Sequence, residues 1–344
     1  MKKISFLVLS VCFVFLTGCG TKVSTYSFGY TESTRFNPYE KVTLENIAFS
    51  EVSESTNLDL AVFELKGESE SYLIDYAISL AQDTSTGVIY NIDHKTREVL
   101  SINKFLLDEI IFGEIIPWSE ADQLFPRLGK GVVRDLETGI YFRVQRRGGT
   151  NHVDFQPLTK QDTESMFNAY SGSWSWDRRA VIVQSGGRYI AGSMNGMPHG
   201  AGAIQDNNFN GHSCIHFSGS ITHGNDKLDF AHQLMVKKAG GLFFDTLMEM
   251  PPEDILRAFI ILSTQEQVHY LQYILRNSAE DTSFFSNMQS IHLGPIVRAE
   301  DEADYVKLEV EAMYYLDNIR HEEVLTFDLY KEPWDLTWKI KFVK

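Results

Sequence analysis

The sequence predicts a mainly β protein with α+β character, and three observations carry this prediction. Apolar and polar residues alternate from Tyr72 to Leu80 and from Trp334 to Phe342, as in half-buried strands. Short turn sequences that contain glycine, such as residues 185–187, separate further apolar runs. Two prolines and two acidic residues at 251–254 begin a segment whose apolar residues recur at the spacing of a helix, which is typical of a helix packed on a sheet.

The first residues predict export and lipid anchoring. Lys2 and Lys3 precede an apolar run over 4–16, which is typical of a secretory signal peptide. The tetrapeptide LTGC that ends at Cys19 matches the bacterial lipobox, in which the cysteine is lipidated. The alternative is a plain membrane helix, but the run is too short to span a bilayer comfortably. We expect a signal peptide over 1–18 and an extracytoplasmic protein held on a bacterial membrane through lipid on Cys19.

Composition limits the possible partners. The 344 residues include 31 basic and 46 acidic side chains, and the net charge of −15 argues against nucleic acid as a partner. The length predicts two or three domains. A hydrophobic content of 43% is enough to build their cores.

The composition changes along the chain and suggests a domain order. A Ser/Thr-rich tether is expected over 19–40, followed by a small β-rich domain over 41–115 that contains a hairpin with its turn at 93–98. A central domain over 116–247 follows. Residues 252–344 are expected to form an α+β accessory domain, with a helix to about Asn277 and then three strands. In the order of its elements this last domain is similar to NTF2-like domains, and the alternative is a sheet that completes the central domain.

The central domain shows clear local signals. Residues 132–144 predict a hairpin turning at Glu-Thr-Gly, residues 161–170 a helix, and residues 180–191 a second hairpin. Trp174 and Trp176 are expected to pack in the core, with a sugar-stacking platform as the alternative. His152 and Asp154 can face one side of an extended segment, either to support a site or as a surface pair.

Histidines surround the only cysteine beyond Cys19. Five of the ten histidines lie between 199 and 232, and Cys214 is preceded by His212 and followed by His216. A strand would place these three side chains on one face. A thiol beside an imidazole can become a strong nucleophile. The alternative is a buried structural cysteine whose neighbouring histidines form hydrogen bonds in a core.

The spacing within this cluster resembles that of the YkuD-like L,D-transpeptidases. That family carries a His-Gly segment, then about fifteen residues, then Ser-His-Gly-Cys-x-Arg. His199 and Gly200 match the first element, and residues 211–216 match the second. Gly211, Ser213 and His216 stand where the family has Ser, Gly and Arg. The resemblance implies a central YkuD-like β sandwich or barrel.

The resemblance also implies a mechanism on peptidoglycan stem peptides that needs no cofactor and no metal. Cys214 would form a thioester, and His212 would take the thiol proton. His199 would line the acyl pocket or support the intermediate by hydrogen bonding. The segments at Gly200 and Gly211 would contact substrate, and backbone N–H groups near Ser213 would hold the oxyanion. His216 would replace the family's arginine as a protonated substrate contact, and the pKa of Cys214 is expected to be depressed.

Two other functions remain open at this point. One is a zinc-dependent wall peptidase with ligands drawn from His152, Asp154, His199, His212 and His216, although the chain has no His-Glu-x-x-His sequence. The other is a non-catalytic envelope lipoprotein that keeps a decayed transpeptidase scaffold. The departures around Cys214 favour the second alternative, whereas the surviving thiol argues against it.

Overall fold

The computed structural model describes residues 24–36, 41–55, 57–222, 227–265, 267–276 and 283–343. Among them strand outweighs helix, 39% against 25%, so the expected mainly β class with α+β character is confirmed. The signal peptide, Cys19 and His223 lie outside the described residues. No helix in the described ranges is long and apolar enough to cross a membrane.

The described N-terminal residues form a seven-stranded antiparallel sheet. Its strands are β1 (Thr25–Tyr30), β2 (Lys41–Glu45), β3 (Phe49–Val52), β4 (Ala61–Lys66), β5 (Ser71–Asp75), β6 (Leu80–Asp83) and β7 (Ile89–Ile92). They lie in the order β2-β1-β4-β5-β6-β7-β3. A 3₁₀ turn (Glu32–Thr34) follows β1, and helix α1 (His94–Ile111) follows β7.

Three local expectations in this region are wrong. Residues 25–36 are not tether, because β1 pairs with both β2 and β4 and buries Phe28 and Tyr30. The run 72–80 is a hairpin, because the Asp75 carboxylate accepts hydrogen bonds from the backbone N–H groups of Ser79 and Leu80 and closes a turn. The hairpin expected over 88–102 is a strand followed by α1, which begins where the Asp93 side chain caps it.

The central part is a closed barrel formed by six strands within residues 130–216, all of which are described. Its strands are β8 (Lys130–Asp135), β9 (Tyr141–Gly148), β10 (Val153–Pro157), β11 (Arg179–Ser185), β12 (Arg188–Met194) and β13 (Ser213–His216). They close in the order β10-β13-β12-β11-β8-β9. Both predicted hairpins of this domain are confirmed, and Gly139, Gly186 and Gly187 adopt positive φ at their turns.

Helices surround the barrel and connect it to a second sheet. They are α2 (Trp118–Leu124), α3 (Lys160–Ala169), α4 (Phe230–Ala239), α5 (Phe243–Glu249), α6 (Pro252–Thr264) and α7 (Ser283–Ser286), with a 3₁₀ turn at Val268–Tyr273. The described C-terminal residues form a four-stranded antiparallel sheet of β14 (Ser290–Asp301), β15 (Tyr305–Leu316), β16 (Ile319–Tyr330) and β17 (Lys339–Phe342).

The C-terminal expectations need correction in their details. The helix that begins at Pro252 ends at Thr264, and the chain then turns so that Tyr270 is buried and donates a hydrogen bond to the Thr34 carbonyl. Four strands follow in the described residues where three were expected, and the last begins only at Lys339.

One large apolar core joins the two sheets through α4–α6, and a second core fills the barrel. A buried ion cluster marks the junction: Lys238 on α4 contacts Glu137 in the β8–β9 turn and Gln267 before the 3₁₀ turn. Arg179 pairs with Asp135 at 2.7 Å beside them. These contacts hold the barrel against the helices that connect it to the rest of the chain.

Candidate active site

The candidate site lies on the outer face of the barrel, where β13 pairs with β10. The register places Cys214 opposite Asp154, between two pairs of fully buried residues, three of which belong to the apolar core of the barrel. Because side chains alternate along a strand, Cys214 and Asp154 face outward. The carboxylate Oδ1 of Asp154 lies 3.7 Å from Cys214 Sγ. Sequence reasoning proposed Asp154 only as possible support, and the strand register makes it a direct neighbour of the thiol.

Two backbone hydrogen bonds bring His199 beside His212. Each donates its N–H to the other's carbonyl, at 2.9 and 2.8 Å, and the two imidazole centroids lie 4.6 Å apart. Glycines permit this approach. A Cβ on Gly200 would lie 2.5 Å from His212 Cε1, and a Cβ on Gly211 would lie 2.5 Å from the His199 carbonyl oxygen. Both glycines have positive φ, so they shape the site through the backbone.

Of the two histidines, His199 and not His212 makes a hydrogen-bond contact to the thiol, which also contacts the Asp154 carboxylate. Its Nε2 lies 3.4 Å from Cys214 Sγ, and its Nδ1 lies 2.8 Å from the Met197 carbonyl oxygen. A carbonyl oxygen can only accept, so Nδ1 carries the proton and Nε2 of the neutral ring is the acceptor. His199 is therefore oriented to take the thiol proton, the role expected of His212.

His212 and His152 show the same arrangement around Asp154. His212 Nδ1 is 3.1 Å from the Ala201 carbonyl oxygen, and His152 Nδ1 is 2.9 Å from the Ile221 carbonyl oxygen. Their Nε2 atoms lie 3.9 and 3.3 Å from Asp154 Oδ1. Backbone carbonyls thus orient three imidazoles so that their Nε2 atoms face the thiol and the carboxylate.

The environment of Cys214 opposes a resting thiolate. Burial raises the pKa of the thiol, and the Asp154 carboxylate raises it further. The expected depressed pKa is therefore wrong in direction. The side chain is only 4% exposed. A nucleophilic sulfur can form here when the proton passes to His199 as the sulfur attacks.

The Ser213 hydroxyl does not reach this face. Ser213 is fully buried, and its Oγ donates to the Asn195 side chain at 2.8 Å. The Asn195 N–H in turn donates to the Cys214 carbonyl at 3.2 Å. These two contacts hold β13 in place beneath the thiol. Only the backbone of Ser213 remains a candidate for contact with substrate.

His216 does not have the role that was expected of it. It is 2% exposed and lies between two other buried imidazoles, with ring centroids 4.4 Å from His152 and 3.8 Å from His232. His232 Nδ1 contacts the Ser193 hydroxyl at 2.8 Å. A side chain enclosed in this stack cannot serve as an exposed, protonated substrate contact. It supports His152, which in turn contacts Asp154.

Trp176 lies beside the site, whereas the sequence favoured core packing for it and left a stacking role as the alternative. Its ring lies 4.9 Å from the His199 ring, and 49% of the residue is exposed. The expected core packing holds for Trp174, which contacts Phe167 and Phe209. The spacing of the two tryptophans carries no signal that would separate them, because the difference depends on where His199 lies.

No protein-family model and no curated protein matches this chain.

Proposed function

We propose that this protein is a lipid-anchored cell-envelope enzyme that transfers acyl groups of peptidoglycan stem peptides through a thioester on Cys214. The observation that carries the proposal is the contact between Cys214 Sγ and His199 Nε2, with the opposite nitrogen held by a carbonyl. Nucleophile, base and a third group that orients the base form the arrangement that covalent acyl transfer requires. The resemblance around His199 and Cys214 supplies the substrate class.

The first half-reaction uses one proton and one leaving group. His199 Nε2 takes the Cys214 proton while Sγ bonds to the carbonyl carbon of an L,D peptide bond. The resulting oxyanion collapses, the C–N bond breaks, and the amine leaves with the proton from His199. The product is a thioester. Since the thiol has a raised pKa, proton transfer and attack are coupled.

The second half-reaction restores the thiol. An acceptor amine attacks the thioester carbon and gives its proton to His199, and the departing sulfur takes that proton back. Water in place of the amine gives carboxypeptidation. Trp176 stands exposed beside His199, where its indole face can pack against the bound peptide.

Defined muropeptides, read by mass spectrometry, test this function. We expect a product with a new amide bond or a trimmed stem, together with an acyl adduct on Cys214, and neither product nor adduct with Cys214→Ala. His199→Gln should lower kcat/KM by about 10²–10⁴-fold, and the matched His212→Gln variant should lose much less. An active Cys214→Ala protein would refute the mechanism. No product and no adduct with any muropeptide would favour the non-catalytic lipoprotein.

Metal-dependent hydrolysis of wall peptides is a second candidate function, favoured by the same cluster. One donor atom each from His199, His212 and Cys214 lie within 4.8 Å of one another, and the same holds for His152, Asp154 and Cys214. Imidazoles whose opposite N–H is held by a carbonyl are typical zinc ligands, and the donor types suit Zn²⁺. Dialysis against a chelator separates the two functions. A thiol transferase keeps its activity, whereas a zinc peptidase loses it and regains it with Zn²⁺.

A further inference from the structure

Helix α1 carries apolar side chains on two opposite sides. Its inner side buries Leu100, Leu107 and Ile111 against the N-terminal sheet. The outer side exposes Ile102 by 56%, Phe105 by 63%, Leu106 by 50% and Ile110 by 53%. None of the other α-helices described exposes a large apolar side chain to this degree. An outer apolar stripe of this kind on a surface helix indicates an interaction surface.

The chain length before β1 limits how far this strand can lie from the lipid expected on Cys19. Cys19 is six positions before Thr25, the first residue of β1 (25 − 19), and six residues span at most about 20 Å. A tether reaching residue 40 would have spanned about 70 Å. With lipid on Cys19, the start of β1 stays close to the bilayer surface.

Helix α1 lies along that same strand. Thr25 pairs with Glu45, and the Thr96 hydroxyl near the start of α1 donates to the Ala48 carbonyl three residues later in the chain. At the other end, the Tyr30 hydroxyl donates to Asp108 at 2.8 Å. The start of α1 therefore lies at the same end of the sheet as Thr25, the residue that the lipid would hold near the membrane.

We propose that the outer stripe of α1 is a membrane-docking face that inserts into the bilayer carrying the lipid anchor. The proposal rests on the lipid anchoring of Cys19 stated above. Three basic side chains (Lys95, Arg97 and Lys104) balance three acidic ones (Glu98, Asp108 and Glu109), so apolar contact, not lipid charge, drives the docking. The four side chains present on the order of 400 Å², about half of what each partner contributes to a stable dimer.

A photoreactive phospholipid with a diazirine in its acyl chain tests the docking face. The full lipidated protein is reconstituted into dioleoyl phosphatidylcholine vesicles with the probe, irradiated, and mapped by mass spectrometry. We expect adducts concentrated within residues 102–111. The double variant Phe105→Gln/Ile110→Gln should lower the adduct yield about tenfold or more, because two of the four exposed apolar side chains are lost. Val297→Gln/Val324→Gln, at exposed positions of the C-terminal sheet, is the matched control and should change nothing.

The outcomes separate this proposal from the others. Lipidated protein that stays on the vesicles without adducts in α1 overturns the docking face and leaves the anchor intact. If the native protein is a dimer in ultracentrifugation, the α1 variant is a monomer, and neither gives lipid adducts, the stripe is a contact with a second copy and the proposal is overturned. A mature chain without lipid on Cys19 overturns anchor and docking face together. Acyl transfer by Cys214, measured on the same samples, is independent of all three results.

Discussion

Replacing Asp154 with Asn should make Cys214 more reactive toward an alkylating agent at neutral pH. The carboxylate Oδ1 lies 3.7 Å from Sγ, and both side chains are largely shielded from solvent. Two unit charges at that distance interact by about 4 kcal/mol at an effective dielectric constant of about 20. If only a third of this repulsion is relieved, about 1.4 kcal/mol, the thiolate fraction rises about tenfold.

The assay is iodoacetamide alkylation of the folded protein at pH 7 in the presence of a chelator, followed by intact mass. We expect Asp154→Asn to react about tenfold faster than the native chain. Cys214→Ser gives the background from other cysteines, and Asp206→Asn removes an equal charge at an exposed loop position. An Asp154→Asn protein that stays folded and reacts at the native rate, or more slowly, would refute the electrostatic reasoning.

Four further substitutions probe the site and the core. Gly211→Ala should abolish activity and lower the free energy of unfolding by at least about 1 kcal/mol more than Gly187→Ala does. Both glycines have positive φ, but only the alanine at 211 would place its Cβ 2.5 Å from a backbone oxygen. Equal unfolding free energies of the two variants in urea would contradict this. His216→Arg should destabilise the fold by about 3 kcal/mol or more, since a larger charged group enters a buried stack, and a native-like melting temperature would disprove that burial. Burial would raise the pKa of Glu137, but Lys238 and a neighbouring arginine outweigh it and lower that pKa to about 2. A carboxyl with a depressed folded pKa stabilises above its unfolded value, so stability should fall from about pH 4.5 toward pH 2, and urea titrations of Glu137→Gln should show a flatter pH dependence. Lys238→Met should cost about 3–5 kcal/mol, because it removes the main partner of a buried carboxylate.

Local pattern determined much of the secondary structure and part of the site. The hairpins of the barrel could be predicted because turn residues and alternation act over a few neighbouring positions. The cluster around Cys214 was visible for the same reason. The glycines at 200 and 211 were expected to contact substrate, and the structure shows that they permit the close approach of His199 and His212.

Errors arose where a local pattern had two solutions. Residues 88–102 contain apolar, partly β-branched runs that suggest a hairpin, yet the Asp93 cap and the apolar spacing over a longer stretch stabilise α1. The Ser/Thr-rich segment before residue 40 was expected to be tether, but β1 lies inside the sheet because two neighbouring strands pair with it. In the first case a cap within the segment outweighs its β-prone runs, and in the second the deciding contacts come from other strands.

The roles of the site residues were decided only by tertiary structure. The sequence placed His199 and His212 near Cys214, but the direction of each ring depends on which carbonyl holds its Nδ1. Asp154 reached the thiol through the β10–β13 register, sixty positions away in the chain, and His216 was enclosed by helix α4. Sequence determined which reactive groups were present and how the backbone could turn around them. Folding decided which of them meet, because strand register and helix packing join residues that no local pattern relates.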